Sequence, residues 1–443
     1  MNIDLMKVVQ PPFNAREAIV ESKRCLHCKT PLCVTGCPIS MAIPDFIHQV
    51  SMGNMGEAMS IINRHSNLPA ICGRVCPHEQ QCQGHCILAK QGKPIHIGRI
   101  ESFVADFDTE MNLTREKLVQ KTRGRVAIIG SGPAGLTVAG TLAREGFSVT
   151  IYEGQDEPGG VLMYGIPAYR LPKEVVKAEI HKIEALGVEL KLGHMVGLGS
   201  LTIDSIFAEG FDAIFIGSGT ALPKDMEAPG SRLQGIVQSV YFLHQVASYN
   251  AGAIGKERVP IRDGEKVAVI GGGNTAIDAA RTALRFGNDV TIIYRRTQAE
   301  MPANRSEYEE AVAEGVHFIW QSTAEEFYGN GAEQPHVGAI RVKNPECETV
   351  MPFQRVFLAI GARPANKIVA TTDGINVDDK GYILTQEVPF GMTSRRGVFA
   401  GGDVVHRPQT VVLAMKAAKE ISIGIAQYVD AVKLMQTIEK SNK

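Results

Sequence analysis

Eight of the nine cysteines fall between Cys25 and Cys86, and only Cys347 lies outside that window. Their spacing is Cys25-x2-Cys28-x4-Cys33-x3-Cys37, then Cys72-x3-Cys76-x5-Cys82-x3-Cys86. Thiolates this dense, drawn from several turns, suit soft metal centres, and four-iron clusters take Cys ligands of this kind. Zinc is the rival, because Cys25-x2-Cys28 fits half of a zinc ribbon and eight thiolates would fill two zinc sites as readily as two clusters. A disulfide framework would need an oxidising compartment, and nothing in the sequence supplies one.

Two glycine-rich turns carry a second chemistry. Gly130-Ser-Gly132-Pro-Ala-Gly135 follows the apolar run VAII and opens a helical pattern. Gly130 permits the turn, Gly132 lets the backbone approach a pyrophosphate, and Gly135 lets helix and strand pack closely. The helix N-terminus then presents unpaired N–H groups to the phosphates. Glu153, ending the next strand, is placed to accept hydrogen bonds from an adenosine ribose. In the second turn, Gly271-Gly-Gly273-Asn-Thr-Ala276, alanine takes the third place, and Asn274 and Thr275 join Gly271 and Gly273 as cofactor-binding residues. Where the first unit has Glu153, the second has Tyr294 followed by Arg295 and Arg296. Two guanidinium groups there suit a 2′-phosphate, the alternative being a solvated surface pair, so NADP(H) is favoured over NAD(H).

A flavin is expected beside the nicotinamide. Gly397-Val-Phe-Ala-Gly-Gly402-Asp403 ends an apolar strand in a carboxylate suited to a ribityl hydroxyl, and a helix starting near Thr410 would aim its positive end at the isoalloxazine of FAD. A plain helix cap or turn is the other use for Asp403. No Cys-x2-Cys lies near either glycine turn, which excludes a disulfide relay of the thioredoxin reductase kind.

These residues need elements to hold them. Up to about residue 122 the chain reads as helical, with apolar residues recurring at three and four spacing over 43–63 and the cysteines in Gly/Pro-punctuated turns between. After the basic segment 117–125, short β-branched strands alternate with Ala-rich helices. The two glycine turns align without a gap from Gly130 and Gly271 to Val149 and Val290, an internal repeat of βαβ units. The predicted fold class is α/β: a helical N-terminal bis-[4Fe–4S] domain followed by two Rossmann-like domains for FAD and NAD(P), the second inserted in the first. The expected limits are 1–122 for the iron–sulfur domain, 123–230 with 367–443 for the FAD domain, and 231–366 for the NAD(P)H domain.

With 46 basic against 47 acidic side chains over 443 residues, no dominant electrostatic hold on nucleic acid or anionic membrane is expected. The opening MNIDLMKVVQPPF has neither a basic leader nor an apolar h-region, and no apolar run approaches the ~18 residues of a membrane span. The expectation is a cytoplasmic chain without a membrane span.

The stretches CLHCKTPLCVTGCPISMAIPDFI, CGRVCPHEQQCQGHC and GGVLMYGIPAYRLPKEV, with the paired glycine turns, resemble the small subunit of bacterial glutamate synthase. They are similar also to the N-terminal half of dihydropyrimidine dehydrogenase and to the flavoprotein subunit of electron-bifurcating transhydrogenases. The resemblance covers nearly the whole chain and implies two [4Fe–4S] clusters, one FAD and an NAD(P)H site, with Gly160 among the cofactor-binding residues. It implies further that Cys25, Cys28, Cys33 and Cys86 hold one cluster. Cys37, Cys76 and Cys82 would hold the other, with a fourth ligand from the stretch IGRIESF. There Glu101 stands where the dehydrogenase branch has Gln. Cys72 is then left over, although the residues themselves do not exclude it as the fourth ligand.

These three modules consume the chain and leave no substrate domain. The sequence therefore predicts an oxidoreductase subunit that takes a hydride from NAD(P)H onto FAD and sends single electrons through clusters to a partner subunit. No side chain need act as acid or base, so catalysis is positioning and flavin electrostatics. A pyrimidine-reducing or a bifurcating partner is the alternative to a glutamate-making one, and a nucleotide-binding redox sensor is the non-enzymatic alternative. The partner is expected near the cysteine module, against apolar residues of 39–47.

Overall fold

A computed structural model describes residues 5–114, 116–331, 333, 335–365 and 367–441. The chain divides into two compact units. The larger comprises Gln10–Leu162, Lys173–Leu222 and the chain from Arg363 onward, and the smaller comprises Met163–Pro172, Pro223–Ala362 and the chain up to Val9.

The larger unit starts as a helical bundle, with helices Ala15–Ser22, Ile43–Ser51, Met55–His65, Pro69–Val75 and Ile97–Met111. Asn14 opens the first, taking the Glu17 amide while the Glu17 carboxylate takes the Asn14 amide, which satisfies two otherwise unpaired N–H groups. The apolar periodicity over 43–63 belongs to a helical hairpin broken at Gly53, whose φ of +82° is open to glycine at little steric cost. Its inner face, Phe46, Ile47, Val50, Met59 and Ile62, packs with Ile100 and Val104 of the last helix. Ile43, Phe46 and Ile47 are 2%, 0% and 1% exposed, so the apolar residues of 39–47 form the core of this bundle rather than a partner contact. Their periodicity is that of a buried face.

The same unit holds a seven-stranded sheet in the order Thr385–Glu387, Phe390–Thr393, Val398–Ala400, Ala213–Ile216, Gly124–Ile129, Phe147–Tyr152 and Glu189–Lys191. From Val398–Ala400 onward the neighbours run parallel. The four strands from Val398–Ala400 to Phe147–Tyr152 in that order are buried along nearly their whole length, as parallel strands covered on both faces must be, while Glu189–Lys191 is the partly exposed edge. The helices Pro133–Arg144 and Val411–Ser441 pack against each other. The sheet is thus completed by a strand from the far side of the inserted unit.

The smaller unit has its own parallel sheet, in the order Ile236–Gln238, Arg355–Leu358, Lys266–Ile270, Asp289–Ile293 and His317–Ile319. Beside it lies an antiparallel sheet of Thr323–Gly329, Val337–Lys343 and Glu348–Pro352. The repeat read in the sequence is therefore two Rossmann-like units, the second inserted in the first. Among the described residues, no helix is long and apolar enough to cross a membrane.

Candidate functional site

All nine cysteines are free thiols. Eight of them gather into two donor sets inside the larger unit. In the outer set, Cys25 faces Cys28 and Cys86, and Cys33 faces Cys25 and Cys86. Burial first, then the nearby thiols, pushes Cys33 up to about 11. Within the Cys25-x2-Cys28 turn, His27 adopts the left-handed region at φ +47° and turns its backbone N–H onto the Cys25 sulfur. Such N–H···S contacts favour a charged thiolate, the form that ligates metal.

The inner set lines a small cavity. Cys37, Cys72, Cys76, Cys82 and Glu101 share its wall with Ile39, Met41, His78 and Val412. Glu101 comes from the first turns of helix Ile97–Met111 and is 7% exposed. Burial, reinforced by Glu179, raises its carboxyl to about 8. Cys76 and Cys82 are also pushed upward; the Cys72 side chain and burial lead at Cys76, and burial leads at Cys82. Cys72 is buried on helix Pro69–Val75, with its Sγ 3.4 Å from the Met415 Sδ it donates to. A small buried pocket of crowded thiols and one carboxyl fits a cationic iron core, which when bound would take the place of the protons these groups otherwise keep. Among the described residues, no three Cys, His, Asp or Glu side chains converge around a single ion. The structure brings together Cys25, Cys28, Cys33 and Cys86, and separately Cys37, Cys76, Cys82 and Glu101, with Cys72 beside the second group.

The first glycine turn has the shape a dinucleotide requires. Gly130 has φ +97°, and a Cβ there would lie 2.7 Å from the Gly217 carbonyl oxygen. A Cβ on Gly135 would meet the Gly130 oxygen at 2.0 Å, whereas one on Gly132 would meet nothing within 4 Å. The backbone is therefore tight on the protein side and open toward the ligand. Glu153 is 8% exposed and accepts the Ser131 amide at 2.9 Å and the Gln155 amide at 2.9 Å. It braces the turn as well as standing at the strand end, and the Ser131 hydroxyl continues the brace by accepting the Gly159 amide at 3.0 Å. Gly160, at φ +55°, follows directly and sits against Gly132. The sequence reading did not single out Ser131; its place between two fingerprint glycines was the available signal.

Gly402 has φ +72°, and Asp403 opens a short helix after it. Burial raises the Asp403 carboxyl to about 6, while its Oδ1 accepts the Gln409 amide at 3.2 Å. Asp403 thus supports its own loop, the plainer of the two uses read in the sequence, and retains its second carboxyl oxygen. The Thr410 hydroxyl is buried without a hydrogen-bond partner, just before helix Val411–Ser441. An orphaned buried hydroxyl at a helix start fits a ligand that accepts or donates there.

In the smaller unit, Gly271 has φ +141°, and a Cβ on it would lie 2.4 Å from the Ala359 oxygen, while Gly273 is open. Gly272, unremarked in the sequence, is held by the Tyr294 ring, which a Cβ would strike at 2.5 Å. Asn274 is committed to the protein, its Oδ1 accepting the Asn304 amide at 2.9 Å. Thr275 is exposed. Arg295 and Arg296 are exposed too, and neither joins an ion pair among the described residues. Two free guanidinium groups at the end of strand Asp289–Ile293 fit a 2′-phosphate.

The sequence reading also missed a buried ionic frame behind this turn. Arg170 Nη1 lies 2.8 Å from Asp278 Oδ2, and the same guanidinium pairs with Glu307. Glu307 also accepts the Asn304 side-chain amide at 2.9 Å. Beside them, Glu314 takes Arg281 and Arg285, each at 2.7 Å, and Arg285 stacks over the Tyr169 ring at 3.9 Å. Burial opposes the Glu314 charge, but hydrogen bonds from both arginines outweigh it and hold the carboxyl down at about 2.

Comparison with known proteins agrees with this geometry. Residues 2–113 match the family described as dihydropyrimidine dehydrogenase domain II, 4Fe-4S cluster, and residues 124–418 match the pyridine nucleotide-disulphide oxidoreductase family. The glutamate synthase [NADPH] small chain of Halomonas elongata is 34% identical, over 95% of this chain and 93% of its own. The NAD-dependent dihydropyrimidine dehydrogenase subunit PreT of Escherichia coli is also 34% identical, over 95% of this chain and 96% of its own. Among solved structures, the thioredoxin reductase of Lactococcus lactis superposes with a TM-score of 0.53 at 24% identity, over 69% of this chain and 99% of its own. That likeness is one of fold. The chain belongs to the glutamate synthase small-chain family, FAD- and NAD(P)H-dependent oxidoreductases of the pyridine nucleotide-disulphide type with an N-terminal 4Fe-4S domain.

Proposed function

We propose that this chain is the electron-input subunit of a larger cytoplasmic enzyme, drawing on NADPH and serving a partner that carries the substrate site. The observation that carries this reading is the layout of the larger unit. Val412, two residues after the orphaned Thr410 hydroxyl, lines the same cavity as Cys37, Cys76, Cys82 and Glu101. The inner donor set therefore adjoins the flavin segment, and the outer set of Cys25, Cys28, Cys33 and Cys86 is the more exposed. Nine free cysteines support a reducing compartment.

When bound, NADPH supplies an electron pair as hydride, FAD divides it, and iron–sulfur clusters carry single electrons. The chain's own residues bind and orient. Gly132 and Gly273 leave backbone room for the two pyrophosphates, and the helices Pro133–Arg144 and Asn274–Arg285 turn their N-terminal N–H groups toward them. Gly130, Gly135, Gly160, Glu153, Gly402, Asp403 and Thr410 are assigned to FAD. Gly271, Asn274, Thr275, Arg295 and Arg296 are assigned to the nicotinamide nucleotide. Glu101 is assigned to the inner cluster and Cys72 is not. No side chain is required to move a proton at the reacting carbon, so rate depends on alignment.

The test is anaerobic purification followed by side-by-side assays. About eight irons and one FAD per chain are expected, with NADPH-dependent dye reduction. Turnover of glutamine with 2-oxoglutarate, or of uracil, should require an added partner. Two zinc atoms with negligible iron would reject the cluster reading; substrate turnover by the isolated chain would reject the subunit reading.

A further inference from the structure

We propose, resting on the electron-input reading, that the face around the outer donor set is a docking surface for an acidic electron-accepting protein. Leu26, Leu32 and Ile87 are 61%, 50% and 47% exposed, and each is the immediate neighbour of a cysteine of that set: Cys25, Cys33 and Cys86. Because Cys33 faces Cys25 and Cys86, these three apolar side chains come from turns gathered around one centre. Apolar side chains at the mouth of a redox centre exclude water where a partner's centre must approach.

The two segments that carry them have charge of one sign. Residues 22–36 and 84–96 contain Lys23, Arg24, Lys29, Lys90 and Lys93 and no Asp or Glu. The two segments are joined: Arg24 donates to the Lys93 carbonyl at 2.6 Å, and the His96 amide donates to Glu21 at 2.9 Å. Glu21, which directly precedes the first segment, is occupied by Arg24 at 2.6 Å. Lys23, Lys29, Lys90 and Lys93 are exposed and form no ion pair among the described residues. The whole chain carries a net charge of −1, so this rim is local. An apolar centre inside a lysine rim complements an acidic partner and steers it to the site in a salt-dependent way. Each NADPH oxidised to NADP+, with release of one proton, would reduce two molecules of a one-electron acceptor.

The probes are rubredoxin, an acidic iron protein, and cytochrome c, a basic haem protein, both one-electron acceptors. Binding of oxidised rubredoxin to the holo chain is measured by surface plasmon resonance, and NADPH-dependent reduction of both proteins is followed with ferricyanide as a non-docking control. Rubredoxin should bind and be reduced in preference to cytochrome c, with affinity and kcat/KM falling at least tenfold as salt rises from about 20 to about 200 mM. Charge reversal at Lys29, Lys90 and Lys93 to Glu should weaken rubredoxin binding at least tenfold and improve cytochrome c reduction. Iron content and ferricyanide reduction should stay unchanged. Should that variant lose iron, the Leu26→Ser, Ile87→Ser pair serves instead, with rubredoxin binding weakened at unchanged salt slope. Salt-independent binding, equal use of both probes, or a self-association of the chain that masks this face would overturn the proposal. Loss of ferricyanide reduction in the wild type would overturn the electron-input reading instead.

Discussion

At the scale of single residues, Glu101 and Cys72 contend for one place at the inner donor set. Both line its cavity, and the Cys72 thiol lies against the Cys76 sulfur as well as 3.4 Å from the Met415 sulfur. Replacing Glu101 with Ala should disturb the electron paramagnetic resonance signal of one cluster and leave the other intact, while Cys72→Ala leaves both. The reverse pattern would make Cys72 the fourth ligand. A second residue-scale prediction concerns the exposed pair Arg295 and Arg296. If each holds the 2′-phosphate with a charge-assisted contact of ~1.5–3 kcal/mol, changing both to Gln should raise the KM for NADPH at least about tenfold and barely move that for NADH. A wild-type preference for NADH, untouched by the change, would reject the assignment.

At the scale of elements, the nucleotide helix Asn274–Arg285 depends on partners far away in sequence. Arg170 meets Asp278 across 108 residues and Glu307 across 137. Helix Arg305–Glu314 supplies Glu314 to two arginines that are almost fully buried. Glu314→Gln would leave the buried Arg285 without its counter-charge and Arg281 with Glu310 alone, and should cost about 3 kcal/mol, read as a lower denaturation midpoint. The pH dependence follows from its depressed pKa. The stabilisation is complete above the ordinary carboxylate range and is lost as pH falls from about 4.5 toward 2. Wild-type stability should show that acid loss, and the Gln variant should show less of it. The contrast between these contacts and the glycine turns explains what was legible in the sequence. A dinucleotide turn is marked by six consecutive residues, and part of the reason is local, as Gly135 meets the Gly130 oxygen at 2.0 Å, even though Gly130 and Gly271 also press on distant carbonyls. Cysteine spacing is likewise local, and so is the strand–helix alternation. Arg170, Asp278 and Glu307 carry no local mark, because their meaning arises only when distant segments meet. The 39–47 stretch misled for the opposite reason: apolar periodicity reports a buried face without saying what buries it.

At the scale of the molecule, every recognisable module serves the movement of electrons. The smaller unit holds the second glycine turn, assigned above to the nicotinamide nucleotide, and the larger holds the first, assigned to the flavin, with both donor sets. The isolated chain should therefore reduce dyes with NADPH in the absence of any partner, a spectrophotometric assay that a redox sensor would fail. The larger unit closes late. Strand Val398–Ala400 pairs with Ala213–Ile216, and between them in sequence lies the whole five-stranded sheet of the other unit. Val412 and Met415, which wall in the inner donor set, come from helix Val411–Ser441. During synthesis the cysteines emerge before the residues that cover the inner set, Met415 lying 343 residues after Cys72. Until those residues arrive the pocket lacks one wall, so its thiols should stand open to incoming metal, and to oxygen, before the pocket is sealed. Docking of helix Val411–Ser441 should close that window, so a chain stripped of metal after folding should take it up more slowly than one supplied with metal as it folds.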